Sequence, residues 1–133
     1  MPDRPRLVLE YDDRLNRVWL TWCKGTKQQQ GKKITEALAV AAKNGALLCQ
    51  LAVGEDYPPA SQLGEPPHRR TGEGQRSIRH GSQRSTSQGW VDSAPSDFDH
   101  MAYHDQHGRP WLLDTLTAHR TRLERDVEAH LGV

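Results

Sequence analysis

Two segments near the start of the chain mix apolar and polar residues in the way that strands do. Residues 6–11 read RLVLEY, residues 17–22 read RVWLTW, and the polar segment DDRLN lies between them. Short runs of β-branched and aromatic residues on either side of a polar turn predict a β-hairpin. The alternative is a helix capped by an aspartate of the DDRLN segment, which would run through Leu15 and Trp19.

The next periodic segment repeats its apolar residues every three or four positions, which predicts a helix over about residues 34–53. The positions that share its main face are Ile34, Leu38, Ala41, Gly45, Leu48 and Ala52. Val40, Leu47 and Leu51 widen this apolar face, so we expect the helix to be well buried. Gly54 fits its end. The N-terminal segment 1–33 ends in the polar, basic connector KGTKQQQGKK, which leads into this helix.

The composition changes after the helix. Residues 55–74 contain four prolines and three glycines, which leave no room for regular structure and predict an extended loop. A loop of this length in a compact domain usually has a function or is disordered.

Short segments with turn-like sequence between them follow the loop. RSIRHGS and QGWVDSA predict two antiparallel strands, with Ile78, Trp90 and Val91 facing inward. The segment DHMAYHDQH predicts a third strand that places Met101 and Tyr103 on one face and ends at Gly108.

A second helix is predicted over about residues 110–131. Pro110 suits the first turn of a helix, because the amide proton that proline lacks has no partner there. Leu112, Leu116 and Leu123 belong to an apolar stripe along this segment. The whole chain, residues 1–133, therefore predicts a single α+β domain, in which a small antiparallel sheet is packed by a central helix and a C-terminal helix.

Composition narrows the classes of function. Hydrophobic residues make up 35% of the chain, below the roughly 45–50% that is typical of globular domains. Such a composition suits a domain with long polar excursions or one that neighbouring subunits complete. The net charge of +1 provides no global attraction to nucleic acid or membranes. No apolar stretch is long and unbroken enough to span a bilayer, and Cys23 and Cys49 are expected to be free thiols.

Arginines are concentrated in the stretch from His68 to Arg84. They are Arg69, Arg70, Arg76, Arg79 and Arg84. Because the guanidinium group pairs bidentately with carboxylates and phosphates, these residues and Arg109 are candidates for contact with a neighbouring subunit, a protein partner or DNA. The plainer interpretation is a solvated loop and strand surface.

The order of these features resembles the head–tail joining proteins of long-tailed bacteriophages, which are also called neck or tail-completion proteins. The resemblance covers roughly residues 34–131 and depends on order and spacing. The residues that carry it are Thr71 and Gly72, then Ser77 and Ile78, then Ala102, Tyr103 and Gly108, and finally Arg109, Pro110, Trp111, Leu112 and Leu116. The segment HDQHG departs from the acidic–aromatic–glycine run that usually precedes the arginine–proline element.

The resemblance implies a structural virion protein that forms a homo-oligomeric ring around the DNA channel of the neck. Its partners would be the portal or connector proteins of the head and the tail tube or tail terminator proteins, with non-specific contact to genomic DNA. It would be found in the virion after assembly in the host cytoplasm. The implied structural residues are Gly72, Ile78, Tyr103, Gly108, Pro110, Trp111 and Leu112. No catalytic residue, cofactor, metal or membrane contact is expected.

Histidines provide the main alternative. His100, His104 and His107 lie near several aspartates and are of the types that bind metals, so a small metal-dependent hydrolase is the rival function. In a helix these three histidines would share a face, whereas in a strand His107 would point away from the other two. A nucleic-acid-binding protein that acts through its basic loop is a third alternative.

Overall fold

The computed structural model describes residues 4–55, 63–66, 73–94, 100–108 and 110–132. The described residues form one antiparallel sheet and a layer of helices on one of its faces. The strands are β1 (Pro5–Asp12), β2 (Arg17–Lys24), β3 (Lys27–Gln28), β4 (Ile78–Gln83) and β5 (Gln88–Ser93). The helices are α1 (Lys32–Ala52), α2 (Glu73–Arg76), α3 (His100–Gln106), α4 (Leu113–Ala118) and α5 (Arg120–Leu131). The predicted α+β class is therefore confirmed.

The sheet has the order β1-β2-β5-β4, and the short β3 pairs with the far end of β2. The N-terminal hairpin forms as predicted, with Asn16 in the left-handed region (φ 45°) at its turn. The Asn16 side-chain oxygen accepts a hydrogen bond of 2.7 Å from the Tyr11 hydroxyl, which holds the turn against β1.

The core lies between the sheet and α1, α4 and α5. Leu7, Val18, Leu20 and Val91 point from the sheet into this core, and each is fully buried. At Gly89 a β-carbon would lie 2.6 Å from the Leu38 carbonyl oxygen, so only glycine lets α1 approach β5 this closely. Most of the predicted inner face of α1 is buried, as its spacing indicated.

Two expectations about which side chains face the core are wrong. Val40, Leu47 and Leu51 are 37%, 49% and 75% exposed, because they lie on the side of α1 that faces away from the sheet. Trp90 does not face the core, since it alternates with the buried Val91 and so points to the other face of the sheet.

The segment expected to be a third strand is the helix α3. Met101 and Asp105 lie one helical turn apart on the side of α3 that faces the rest of the domain, whereas Tyr103 is 60% exposed. This separates Met101 from Tyr103, which a strand would have placed on one face.

The C-terminal helix begins three residues later than expected and is interrupted. Pro110 precedes it, Leu112 is its N-cap residue, and a non-helical His119 (φ −106°, ψ 15°) separates α4 from α5. Pro110 therefore lies in the turn before the helix rather than in its first turn.

Candidate interaction surfaces

The outer face of the sheet, opposite the helices, is open among the described residues. Strand alternation places one row of side chains from each strand on this face, and the register aligns them across the sheet. The central row runs from Glu10 to Trp19, Trp90 and Gly81. We call the residues Val8, Glu10, Arg17, Trp19, Arg79, Trp90 and Asp92 the open sheet face.

Asp92 organises one end of this face. Its carboxylate accepts hydrogen bonds of 3.0 and 2.8 Å from Arg17 and of 2.8 and 3.0 Å from Arg79. The two arginines come from the strands on either side of β5, so the aspartate accepts two hydrogen bonds from each side. It is only 1% exposed, although no described helix covers this side of the sheet. The hydrogen bond to Asp92 raises the pKa of the Arg79 guanidinium.

Trp90 lies flat against the sheet beside this cluster. A β-carbon at Gly81 would lie 2.4 Å from the indole ring, so the glycine gives the ring room to lie over β4. The Arg17 guanidinium carbon is 4.2 Å from the Trp90 ring centroid and 5.1 Å from that of Trp19. Cation–π contacts of this kind hold the planar groups together. The result is a preorganised surface of two half-buried indoles and two arginines, residue types that are enriched at binding hot spots.

A second apolar surface lies on the opposite side of the molecule. Val40, Leu47 and Leu51 follow one another along the solvent side of α1, and we call these three residues the α1 stripe. Lys43 lies between them on the same side and is exposed. No described residue covers this stripe, so both outer surfaces of the two-layer structure carry apolar side chains.

The turn between α3 and α4 is built around Asp105. One of its carboxylate oxygens accepts hydrogen bonds of 3.0 Å from the backbone amides of both Trp111 and Leu112. The Trp111 indole is completely buried and donates to the Met101 carbonyl oxygen at 2.6 Å. Gly108 (φ 87°) provides the left-handed turn that brings these residues together. Trp111 and Leu112 thus anchor the start of α4 in the core.

A cavity of about 460 Å³ opens beside this turn. Its walls include Tyr11, Leu63, Asp105, Pro110, Leu113 and Asp114. Burial raises the pKa of Asp105 above the usual aspartate value, although the two backbone amides oppose this shift. Burial likewise raises the pKa of Tyr11. The cavity pairs an apolar wall with the carboxylates of Asp105 and Asp114 and with the Tyr11 side chain.

The structure separates the arginines that the sequence grouped together. Arg79 belongs to the open sheet face, Arg84 is exposed in the turn between β4 and β5, and Arg76 ends α2. Arg69, Arg70 and Arg109 lie outside the described residues, as does Gly72. The expected basic surface is therefore divided among different elements where it is described.

The structure describes most of the residues to which the resemblance assigns a structural role. Ile78 is buried in the core at the start of β4. Tyr103 is exposed on α3, where its ring stacks on that of His107 with centroids 4.1 Å apart. His107 also bonds to the Tyr103 carbonyl oxygen at 2.8 Å. Tyr103 is thus a surface residue of a helix and not a residue of a strand.

The described parts of the chain hold no group of three or more histidine, cysteine or acidic side chains that could bind a metal ion. The side chains of His100 and His104 lie outside the described part of the structure, so the helical arrangement of the three histidines is described only for the backbone. Within the same residues, no helix is long and apolar enough to cross a membrane.

Comparisons with known proteins identify no relative: no protein-family model, no curated protein and no solved structure matches the chain. The interaction surfaces must therefore be interpreted from their own geometry.

The cluster of Arg17, Trp19 and Asp92 was not predicted from the sequence. One signal was available: in RVWLTW, Val18, Leu20 and Trp22 alternate with Arg17 and Trp19, which separates a core face from an outer face. The pairing with Asp92 was not available, because it joins residues 75 positions apart.

Proposed function

We propose that this chain is a structural protein of the bacteriophage neck that joins the head to the tail by forming a homo-oligomeric ring. In this role it would contact portal or connector proteins on one side and tail tube or terminator proteins on the other. Genomic DNA would pass through the ring without sequence-specific contact.

The observation that carries the proposal is the position of two surfaces whose side chains are suited to association. The open sheet face, with its half-buried indoles and its arginines, and the exposed α1 stripe lie on opposite sides of one small domain, where no described residue covers them. Exposed apolar stripes and clusters of tryptophan and arginine are both typical of association sites. A subunit that associates through two different surfaces forms a head-to-tail contact, and such contacts repeat until they close into a ring or extend as a filament.

The order of sequence elements supports the more specific assignment. The arginine–proline–tryptophan–leucine element follows a glycine turn and leads into the C-terminal helix, as the resemblance to neck proteins implies. The backbone amides of Trp111 and Leu112 donate to Asp105, and these hydrogen bonds support a structural role for the turn.

Size-exclusion chromatography with light scattering, followed by negative-stain electron microscopy of the heaviest peak, tests this proposal. We expect a concentration-dependent assembly of more than two copies with a central opening. Metal analysis of the same peak tests the rival hydrolase. A compact monomer with one metal ion per chain would contradict the proposal, and binding to DNA that weakens steeply with salt would favour the nucleic-acid-binding alternative.

A further inference from the structure

We propose that the α1 stripe of one copy docks on the open sheet face of the next copy, so that every α1 lies between two sheets. This inference rests on the proposed function, because it names the contact through which the ring would form. The occupant of each surface is therefore a second copy of this chain.

The two surfaces match in shape. At 1.5 Å per residue, the 21 residues of α1 form a rod of about 31 Å. The open sheet face is four strands wide, or about 14 Å between its outer strand axes at a spacing of ~4.8 Å. A helix about 10 Å across therefore covers the two central strands, which carry Trp19 and Trp90. On the inner side of the same sheet, α1 of the same chain packs mainly on β4 and β5.

The two surfaces also match in chemistry. Leu47 and Leu51 provide branched aliphatic groups, and the half-buried indoles provide flat apolar area with arginines at one side. Lys43 lies one helical turn before Leu47, and Glu10 lies directly across from Trp19 in the β1–β2 register. Both charged residues are exposed. When Leu47 contacts Trp19, the ammonium and the carboxylate come within reach of each other, so the two surfaces are complementary in charge.

The geometry excludes a symmetric pairing by this contact. The α1 stripe and the open sheet face lie on opposite surfaces of the domain, so each docked pair of copies leaves one α1 stripe and one open sheet face unoccupied. The contact is heterologous and propagates from copy to copy.

Two variants test the docking, one for each surface. The double substitution Leu47→Glu and Leu51→Glu disables the α1 stripe, and Trp19→Lys disables the open sheet face. Each charge placed in an apolar contact should weaken self-association by at least about tenfold. Leu15→Glu is the matched control, because Leu15 is 50% exposed and Leu47 is 49% exposed, but Leu15 lies in the hairpin turn. It should assemble like the unmodified protein.

Mixing the two disabled variants gives the decisive result. Each retains one intact surface, so an equimolar mixture should form a 1:1 dimer in sedimentation velocity and should grow no further. A mixture that remains monomeric would overturn the docking. If either variant alone assembles as the unmodified protein does, the docking is wrong while the ring function stands. An unmodified protein that remains monomeric at every concentration would overturn both.

Folding and the charge contact are checked separately. Circular dichroism and thermal unfolding report whether the Trp19→Lys variant is folded. If that variant is unfolded, the Trp19→Thr variant is used in its place, since threonine suits a strand. Exchanging the charges tests the contact between Lys43 and Glu10: Lys43→Glu or Glu10→Lys alone should weaken association by about two- to fivefold, and the two together should restore it. Equal weakening by the double variant and the single variants would overturn this charge contact.

Discussion

Replacing Asp92 with asparagine removes the negative charge from between two arginines and keeps the shape of the side chain. In the structure the carboxylate is 1% exposed and accepts four hydrogen bonds of 2.8 to 3.0 Å. Removing one partner of a fully buried ion pair costs about 3–5 kcal/mol. Here Arg17 and Arg79 retain 19% and 42% of their side-chain exposure, so water recovers part of that loss. We expect Asp92→Asn to lower the free energy of unfolding by about 2–3 kcal/mol.

Urea unfolding followed by circular dichroism measures this loss, and Asp13→Asn makes the same chemical change at an exposed turn position. The control should change the free energy of unfolding by less than about 0.5 kcal/mol. Arg17→Met should cost more than Arg79→Met, because Arg17 is the more buried arginine and lies over two indoles. If Asp92→Asn is as stable as the control, the carboxylate does not organise the open sheet face and the reasoning fails.

Three further predictions follow from single contacts. Since the folded-state pKa of Asp105 is raised, the native state binds more protons than the unfolded state above about pH 4, and stability falls as pH rises through the folded pKa. Asp105→Asn should abolish this part of the dependence in urea unfolding at pH 4 to 7, and an unchanged profile would contradict it. Gly89→Ala should cost about 1–3 kcal/mol, because its β-carbon would lie 2.6 Å from the Leu38 carbonyl oxygen, and an unchanged Tm would refute this. Burial strongly raises the pKa of the Cys49 thiol, so Ellman's reagent should label the half-exposed Cys23 first and Cys49 only on unfolding; simultaneous labelling would contradict the burial.

The hairpin and α1 could be predicted because each repeats one period over enough residues. Eight residues in each of β1 and β2 alternate between core and outer face, and 21 residues of α1 maintain a helical period. A short segment does not show whether its apolar residues follow the period of a helix or that of a strand. The seven residues of α3 fit either a strand or a helix, and the helix forms because it buries Met101 and brings Asp105 to the amides of the following turn.

The interaction surfaces were harder to predict than the elements that carry them. Expecting both Trp90 and Val91 to face inward conflicted with the two-residue period of a strand, and burial of Val91 decides which of them does. The outward position of Leu47 and Leu51 depends on where α5 and the sheet lie relative to α1, which the helical period alone leaves open. The Asp92 cluster depends on strand order, since β5 must lie between β2 and β4 for both arginines to reach it.

Native mass spectrometry of the unmodified protein at increasing concentration tests the central claim most directly. A head-to-tail contact that closes on itself predicts one dominant assembly with a single defined number of copies, greater than two. A distribution that stops at the dimer, or a monomer at every concentration, would contradict the account of this chain as a ring-forming neck protein.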